Sequence, residues 1–431
     1  MSTHVSTLRG LTALSPVIVF LMMYVVVSVV IGDFYKMPFA VALLTASAWG
    51  ILIYRGHPLT RRLSVFSRAA GHPDIIYMIW IFILAGAFAS LATEIGSVEA
   101  TVSYTLRAFP PQAIVPGLFV ASCLISLAVG TSVGTVVALA PFALELSQAG
   151  GGNTAFYVAV VLGGAFFGDN LSFISDTTIA ATRSQGCEMA DKFRANLWIA
   201  LPAAIVTLII YMIMAGSTSI TPRLTDSSPL LMLPYLIVIV TALCRMNVTI
   251  VLSLGITSAI IIGLTKGYTL LTLFGHMGSG IDSMGNLIVV TLLAAGMLGI
   301  IKACGGISWL LEVMSRGIVG KRGAQAAIAS LVAIVNLCTA NNTVAIITVG
   351  PLSRDIATRF HVDPRKSASL LDSCSCIVQC LIPYGAQTLL ATSLTGISAA
   401  APFPYLIYPW ALALTVILSI IFLFPRRLHK S

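Results

Sequence analysis

Residues 167–178, FGDNLSFISDTT, form an acidic and hydroxyl-rich run inside an otherwise apolar segment. A carboxylate within an apolar membrane span costs roughly 2.5–3.5 kcal/mol on insertion scales unless a partner compensates it. A segment that only had to cross a bilayer would not carry such a run. The run therefore predicts a local break in a helix and a functional role for the polar groups at that break.

The composition of the chain indicates the solvent around this run. Of the 431 residues, 58% are hydrophobic and 9% are charged, against roughly 45–50% and 25% in an average soluble domain. Stretches such as Leu14–Val30 and Leu287–Ile301 approach the roughly 20 apolar residues that a bilayer core requires. They are too continuously apolar for barrel strands, and lipid leaves only helices to satisfy the backbone. The predicted fold class is an all-α polytopic membrane protein.

The chain has a net charge of +9, and the placement of this charge indicates how the chain is oriented in the membrane. Lysine and arginine collect in short loops between apolar segments, where a membrane protein carries its cytoplasmic charge, so no nucleic-acid partner is expected. The main surrounding partner is membrane lipid, and both termini are predicted to be cytoplasmic in a bacterial cytoplasmic membrane. No cofactor is predicted, because the cysteines show no paired CxxC spacing. The basic segments are Arg55–Arg68, Arg183–Arg194, Lys302–Arg322, Arg354–Lys366 and the tail 426–431.

About ten crossings are expected from the apolar stretches. Two further apolar blocks, 113–147 and 322–358, are each split by small polar residues, at 130–135 and 339–343. Each half has about 12 to 17 residues, which is short for a crossing. Either each block is an ordinary pair of helices, or it is a re-entrant hairpin; re-entry is favoured because an uncharged polar tip is tolerated where it lines a site. The crossings are placed near 13–32, 38–54, 75–96, 154–182, 195–214, 229–246, 248–265, 286–303, 366–398 and 404–425.

The same order of elements occurs twice along the chain. A span, a split hairpin, a long interrupted span and a final span occupy 74–214 and again 282–425. The first copy starts inside and the second outside, so the two copies are inverted repeats with interrupted helices, the architecture of secondary transporters. The remaining parts are an N-terminal two-helix segment, 1–73, connecting helices, 215–281, and a cytoplasmic tail, 426–431.

Local sequence echoes support this repeat. Thr135-Val136 at the first hairpin tip is matched with Thr343-Val344 at the second, and residues 178–182 (TIAAT) are matched with residues 388–392 (TLLAT). Apolar helices resemble one another by composition alone, but the matching positions of the interruptions favour a true repeat.

Three carboxylates fall within predicted spans: Asp169, Asp176 and Asp372. At helical spacing, Asp169, Ser172 and Asp176 share one face. Gly168 and the short polar side chains after it weaken the helix and free carbonyl oxygens. No lysine or arginine is expected deep in these spans, and oxygen-only ligands suit a hard cation. The predicted sodium and proton site comprises Asp169, Asn170, Ser172, Ser175, Asp176, Thr177 and Asp372.

The second interrupted span supplies a partner element, because Asp372, Cys376 and Gln379 share a helical face. Asp372 has three alternative roles: an ion ligand, a proton carrier, or a counter-charge to Lys366. The polar residues of the hairpin tips add oxygen ligands near mid-membrane, although turn formation alone would also explain them. The predicted tip and substrate residues are Thr131, Ser132, Thr135, Asn341, Asn342, Thr343 and Gln379.

Two main functions follow from these residues. A carboxylate that binds either a proton or sodium lets the two cations compete, which is sufficient for exchange. The alternative is a sodium- or proton-coupled carrier of a small organic acid or amino acid; such an anion usually needs a buried cation, but helix N-termini can replace it. An intramembrane aspartyl protease is disfavoured because Phe166 stands where its motif needs glycine. A channel fits paired titratable groups in broken helices poorly.

The motifs Gly168-Asp169-Asn170-Leu171-Ser172, Ser175-Asp176-Thr177-Thr178, Gly130-Thr131-Ser132 with Gly134-Thr135, and Asn341-Asn342-Thr343 resemble those of the NhaC family of sodium/proton antiporters. The resemblance extends from about residue 74 to about residue 400. The chain departs from the family at Phe173, where members usually have proline. The resemblance implies secondary transport with ion exchange at the two interrupted spans. It also implies a relationship to elevator-type carriers that often form homodimers, and it leaves open whether an organic substrate is exchanged.

Overall fold

The computed structural model describes residues 7–31, 38–108, 110–150, 152–172, 175–216, 228–244, 246–315 and 317–424. Within these ranges the regular structure is helical, with twenty α-helices and two short 3-10 turns. Eight helical segments are long and apolar enough to cross a membrane, or nine if a pair bent by 120° counts as one span. Shorter apolar helices add to them, so the predicted all-α polytopic fold is confirmed. The shorter helices are Leu8–Met23, Ala40–Ile53, Pro229–Thr241 and Ile407–Ile421.

The N-terminal part contains two apolar helices followed by a short polar one that turns the chain. The Arg62 side chain donates to the carbonyls of Ile51 at 3.2 Å and His57 at 2.8 Å. The bond to Ile51 satisfies a carbonyl in the last turn of the second helix, where intrahelical partners are lacking. The helices are α1 (Thr7–Ile31), α2 (Phe39–Ile53), α3 (Leu59–Ala70), α4 (Pro73–Glu94) and α5 (Ser97–Ala108).

The next part contains the first hairpin and the first interrupted span. The hairpin turns at Gly130, whose φ of 76° lies in the left-handed region where glycine carries no steric cost. The span breaks after Leu171 and resumes at Asp176. The helices are α6 (Pro111–Val129), α7 (Ser132–Gly150), α8 (Thr154–Leu171), α9 (Asp176–Gln185) and α10 (Met189–Gly216).

The next five helices comprise the connecting helices and the start of the second repeat. The α4 helix packs closely on one of them, because Gly86 and Gly280 face each other; a Cβ on Gly86 would lie 2.3 Å from the carbonyl oxygen of Gly280. Both positions therefore require the absence of a side chain. The connecting helices are α11 (Leu233–Leu243), α12 (Val248–Thr265) and α13 (Leu270–Ser283), and the second repeat begins with α14 (Gly285–Ala303) and α15 (Gly306–Ser315).

The last part repeats the order of the first hairpin and interrupted span. Its hairpin turns at Ala340, which takes the same left-handed conformation with φ 50°. Its span breaks after Leu381 and resumes at Ala386. The helices are α16 (Gly320–Thr339), α17 (Asn342–Arg359), α18 (Pro364–Leu381), α19 (Ala386–Thr395) and α20 (Ile407–Ile421).

The two halves correspond with a constant shift of 210 positions. The α8 and α18 helices both have 18 residues, and α9 and α19 both have 10. The shift relates the turn residues Gly130 and Ala340, and also the left-handed caps Gly186 and Gly396. The predicted repeat and the match of 178–182 with 388–392 agree with this shift. The match of Thr135 with Thr343 is wrong by two positions, because apolar helices offer several similar registers.

The four hairpin helices have 18 to 20 residues, so the predicted length of about 12 to 17 is wrong. The tip occupies only two residues, and its polar groups join the first turn of the next helix. Ser132 at the first tip donates its amide to Asp169 at 2.8 Å, next to the break inside the span Thr154–Gln185. The tip therefore lies at the level of a mid-span break, as the re-entrant arrangement requires. Residue 173 and the tail 426–431 lie outside the described residues.

A seam of small residues joins α6 to α8. A Cβ on Gly164 would lie 2.4 Å from the Ser122 Cβ, and one on Gly168 would lie 2.2 Å from the Ser126 Cβ. Ser126 also donates its hydroxyl to the Ala165 carbonyl. Gly168 was expected to weaken the helix, but it lies within α8; its role is to let the two backbones approach.

Candidate functional site

The break in the first interrupted span is a short extended segment between two capped helices. Ser172 has an extended backbone with ψ 141°, and Ser175 caps α9 by accepting from the Thr178 amide at 3.2 Å. Asp176 begins α9 and its side chain is exposed. The predicted continuous face of Asp169, Ser172 and Asp176 is therefore wrong, because the helix ends before the second of these residues.

Asp169 is a buried carboxylate at the end of α8, 5% exposed. The Ser132 amide donates to its Oδ1 at 2.8 Å, and the Ser132 hydroxyl donates to its Oδ2. Ser132 is the first residue of α7, so the carboxylate faces the positive end of a helix. Among the described residues, no ion pair with lysine, arginine or histidine involves Asp169.

At the break, carbonyl oxygens that have no partner within the helix accept hydrogen bonds from side-chain hydroxyl groups. Ser175 donates to the Asp169 carbonyl at 2.9 Å, and Thr177 lies 3.5 Å from the same oxygen. Thr178 donates to the Ser172 carbonyl at 2.7 Å. A cluster of carbonyl and hydroxyl oxygens thus surrounds the C-terminal, negative end of α8, which is the ligand chemistry of a hard cation.

The second break contributes a pair of glutamines. Gln379, near the end of α18, donates to the Ala340 carbonyl at 2.9 Å and to the Gln387 side chain at 3.0 Å. Gln387, in the first turn of α19, donates to the Ser132 hydroxyl at 3.0 Å. The two hairpin tips are therefore joined through two side-chain amides that lead to Asp169. Sequence reasoning missed Gln387; the 210-residue shift from Thr177 would have identified it.

The structure corrects the expectation that no basic side chain lies among the carboxylates. Lys192, assigned from the sequence to the basic segment Arg183–Arg194, is in the first turn of α10 and is fully buried. Its Nζ lies 2.6 Å from Asp372 Oδ2. Asp372 therefore has a counter-charge, as one alternative held, but Lys366 is not its partner. Lys366 donates to the Ser419 hydroxyl at 2.7 Å and to the Phe424 carbonyl at 3.0 Å.

Two asparagines connect this ion pair with the first break. Asn196 donates to Asp372 Oδ2 at 2.9 Å and to the side-chain oxygen of Asn170 at 2.8 Å. Asn170 in turn donates to the Ser373 hydroxyl at 3.1 Å. Asn196 was not identified from the sequence, since a single amide in an apolar helix carries no distinctive spacing. Asn170 and Asp372, both predicted, are brought together through it.

A cavity of about 720 Å³ opens between the two tips and the first break. Arg183, which was assigned to a loop, also lines it. Thr135 is absent from the lining; it is buried and donates to the carbonyl of Thr131, the tip residue that precedes α7, at 3.2 Å. The described residues that line the cavity do not include the predicted site residues Asn170, Ser172, Ser175 and Asp372. The predicted residues that do line it are Asp169, Asp176, Thr177, Thr131, Ser132, Asn341, Asn342, Thr343 and Gln379.

The chain is similar to characterised transporters over most of its length. It is 25% identical over 417 residues to the Na(+)/H(+) antiporter NhaC of Alkalihalophilus pseudofirmus, with 89% of each chain covered. It is 24% identical to NhaC of Bacillus subtilis, covering 78% of this chain and 82% of the relative. It is 20% identical to the malate-2H(+)/Na(+)-lactate antiporter of Bacillus subtilis, with 90% of each covered.

These relatives are membrane transporters rather than enzymes. A model of the Na+/H+ antiporter family matches residues 3–216 and 217–425, and so covers both halves of the chain and both interrupted spans. The resemblance noted in the motifs therefore holds along nearly the whole sequence. This multi-pass membrane protein belongs to the Na+/H+ antiporter family.

Proposed function

We propose that this protein exchanges sodium for protons across the bacterial cytoplasmic membrane, with Asp169 as the carboxylate for which the two cations compete. The observation that carries the proposal is the position of Asp169, buried at a helix break and facing a cavity that both hairpin tips line. A buried carboxylate without a basic partner is stabilised by taking up either a proton or a metal cation. Occupancy by one cation then excludes the other, which is the requirement for exchange.

The proposed ligands of the sodium ion are oxygens at the break. Asp169 supplies a carboxylate, and the carbonyl and hydroxyl groups of Asp169, Ser175 and Thr177 supply neutral oxygens within a few residues. Hard cations take oxygen ligands of both kinds. Movement of the tips relative to the surrounding helices would expose the cavity to one side and then the other, with both termini cytoplasmic. We also propose that two copies of the chain form a homodimer.

Purified protein in liposomes containing a pH-sensitive dye tests the activity. Addition of sodium to one side, with no organic substrate present, is expected to discharge an imposed proton gradient. Potassium at the same ionic strength serves as the control for non-specific salt effects. Proton movement that appears only when a carboxylate or an amino acid is added would contradict sodium/proton exchange.

A second candidate function is the coupled transport of a small organic acid or amino acid. The cavity volume of about 720 Å³ lies in the range of roughly 300–1,000 Å³ that is typical of small-molecule sites. Arg183 and the amides of Asn341, Asn342 and Gln387 line it, so a carboxylate group would find donors there. The malate-2H(+)/Na(+)-lactate antiporter is a relative of similar coverage. Counterflow of labelled malate, lactate or an amino acid in the same liposomes distinguishes the two functions.

A further inference from the structure

A smaller cavity, which we call the side cavity, adjoins the cavity that Asp169 lines. Its volume is about 300 Å³. It lies between α3, α4 and α14 on one hand and the second hairpin, the second break and the start of α19 on the other. The two cavities have a common wall, because six residues line both of them: Met78, Ala340, Asn341, Val344, Ile347 and Ala386.

The lining of the side cavity is mostly apolar, and its ionisable side chains include two basic ones. Lys302, in the last turn of α14, and His72, directly before α4, both line it and are both exposed. The described lining residues include no aspartate or glutamate, and Lys302 forms no ion pair with a described acidic residue. Both residues lie at the ends of apolar helices, where the membrane surface is expected. The opening of the side cavity therefore carries positive charge at the level of the lipid headgroups.

The side cavity is long and narrow. Along α14 its lining extends from Thr291 to Lys302, which is a helical rise of about 16 Å. Its volume lies at the lower end of the roughly 300–1,000 Å³ that is typical of small-molecule sites. A volume this small, spread over that length, has room for one alkyl chain. A phospholipid, with two chains and a large headgroup, does not fit it.

We propose that the side cavity binds a free long-chain fatty acid, with its carboxylate at Lys302 and its alkyl chain along α14, and that the bound molecule slows exchange. The inhibitory part rests on the proposed sodium/proton exchange, in which the hairpin tips move relative to the surrounding helices. Asn341 at the second tip donates to the Met78 sulfur of α4 at 3.9 Å, so the tip contacts α4 at the wall that both cavities share. An alkyl chain packed against this wall opposes a change in that contact.

An ordinary topology-determining lysine beside a lipid-filled gap is the competing explanation. Lysine at the end of an apolar helix is common in membrane proteins, and an acyl chain of the bilayer could fill the gap without any selectivity. The charge of the head group separates the two explanations. An alkyl chain that moves from lipid into the side cavity leaves an equally apolar solvent, so selectivity has to come from the head. Only a site that uses Lys302 prefers an anion.

Photolabelling in liposomes tests the site. The probe is a fatty acid with a diazirine at the end of its chain, and labelled peptides are identified by mass spectrometry. Labels are expected on α14 and α17, near Thr291 and Val344. Lys302→Gln should lower this labelling about twofold to fivefold, since water weakens an exposed charge pair. Lys321→Gln, in the same basic segment but outside the described lining residues, is the matched control and should label like wild type.

Two further comparisons test the charge and the space that the proposal requires. An alkyl trimethylammonium with the same chain and diazirine is expected to label the side cavity less than the fatty acid does, by about the same factor as the loss in Lys302→Gln. Ala295→Phe places a ring in the side cavity and is expected to lose most of the labelling. Gel filtration shows whether this variant is folded; if it is not, Lys302→Gln still decides the question.

The effect on exchange is measured in the dye-monitored liposome assay with dodecyl sulfonate. A fatty acid is unsuitable there because its neutral form carries protons across the bilayer, whereas a sulfonate stays charged. At a low mole fraction, the sulfonate should slow sodium-driven proton movement at least about twofold in wild type and less in Lys302→Gln, because a ligand acts through its binding to one state. Dodecyltrimethylammonium is the control for general effects on the bilayer.

The outcomes are distinguishable. Equal labelling by the two head groups, or unchanged labelling in Lys302→Gln, would overturn the site. Stronger labelling by a phosphatidylglycerol with the same diazirine would overturn the single-chain occupant. Anion-selective labelling without any slowing of exchange would overturn the inhibitory role. Labelling requires no transport, so a wild-type protein that labels but does not exchange would contradict the proposed function and leave the site standing.

Discussion

Asp169 and Gln379 occupy equivalent positions in the two halves of the chain, 210 residues apart, and each contacts the tip of its own hairpin. Asp169 accepts from Ser132, and Gln379 donates to the Ala340 carbonyl at 2.9 Å. One half thus presents a carboxylate where the other presents its neutral amide counterpart. The repeated architecture is preserved, but the charge that can bind a cation at this position is in the first half.

The two acidic residues of the first break are expected to differ in importance. Asp169→Asn should lower the initial rate of sodium-driven proton movement by at least about tenfold, because hydrogen bonds to a charged group contribute ~1.5–3 kcal/mol. Asp176→Asn should lower it by only about twofold, since an exposed charge is screened by water. Dye-monitored liposome assays measure both rates, with Glu188→Gln at an exposed position as control. Equal effects of the two variants would contradict the assignment of Asp169.

The glutamine pair is expected to set sodium affinity. Gln387→Ala removes the donor to Ser132 and the acceptor of Gln379, and two neutral hydrogen bonds of about 1 kcal/mol each correspond to a roughly tenfold or greater loss. Titration of transport rate against sodium concentration measures the affinity. Gln112→Ala, at an exposed site in α6, should leave it unchanged. An unaltered affinity in Gln387→Ala would show that the bond between the tips is dispensable.

The seam between α6 and α8 predicts a loss of stability on adding one methyl group. In Gly168→Ala, the new Cβ would lie 2.2 Å from the Ser126 Cβ, and overpacking of this kind costs about 1–3 kcal/mol. The melting temperature in detergent should fall by several degrees. Gly117→Ala, in α6 with no atom within 4 Å of the added Cβ, is the control and should melt near wild type. A melting temperature equal to that of Gly117→Ala would refute close contact at this seam.

Lys366 predicts an effect on stability without an effect on ion binding. In Lys366→Met, the Ser419 hydroxyl and the Phe424 carbonyl lose a charged donor, which contributes ~1.5–3 kcal/mol. The melting temperature should fall, while sodium affinity should stay within about twofold of wild type because Asp372 pairs with Lys192 and distant sites act independently. A large change in sodium affinity in a well-folded Lys366→Met protein would contradict this prediction and favour an ion pair between Lys366 and Asp372.

The loop between α9 and α10 predicts a pH dependence of thiol reactivity. Burial, followed by the charges of Asp191 and Asp363, raises the pKa of Cys187 to about 11. The reactive thiolate is therefore scarce below that pH, and the alkylation rate should rise about tenfold per pH unit from pH 7 to pH 10. Mass spectrometry of iodoacetamide-treated protein measures it, with exposed Cys244 as the accessibility control. A rate for Cys187 that levels off below pH 9 would contradict the raised pKa.

The sequence predicted the polytopic helical fold, the hairpin tips and the repeat, because each depends on local patterns of apolar and polar residues. Asp169 and Asn170 were predicted since a polar run in an apolar segment is conspicuous. Lys192 was not, because basic residues at the start of a helix look the same whether they face water or a buried carboxylate. The Lys192 pair with Asp372 joins residues 180 positions apart in the chain, and only the packing of α10 on α18 brings them together.

The close seam between α6 and α8 has a consequence for how the protein works. Glycines at 164 and 168 leave no room for the helices to slide past each other, and the Ser126 bond to the Ala165 carbonyl fastens them. Ser132 at the tip and the carboxylate of Asp169 would then move together as one rigid unit. In the proposed exchange, the moving boundary of the gate would therefore lie elsewhere, and the ion would be bound by a preassembled half-site rather than by one that forms anew at each turnover.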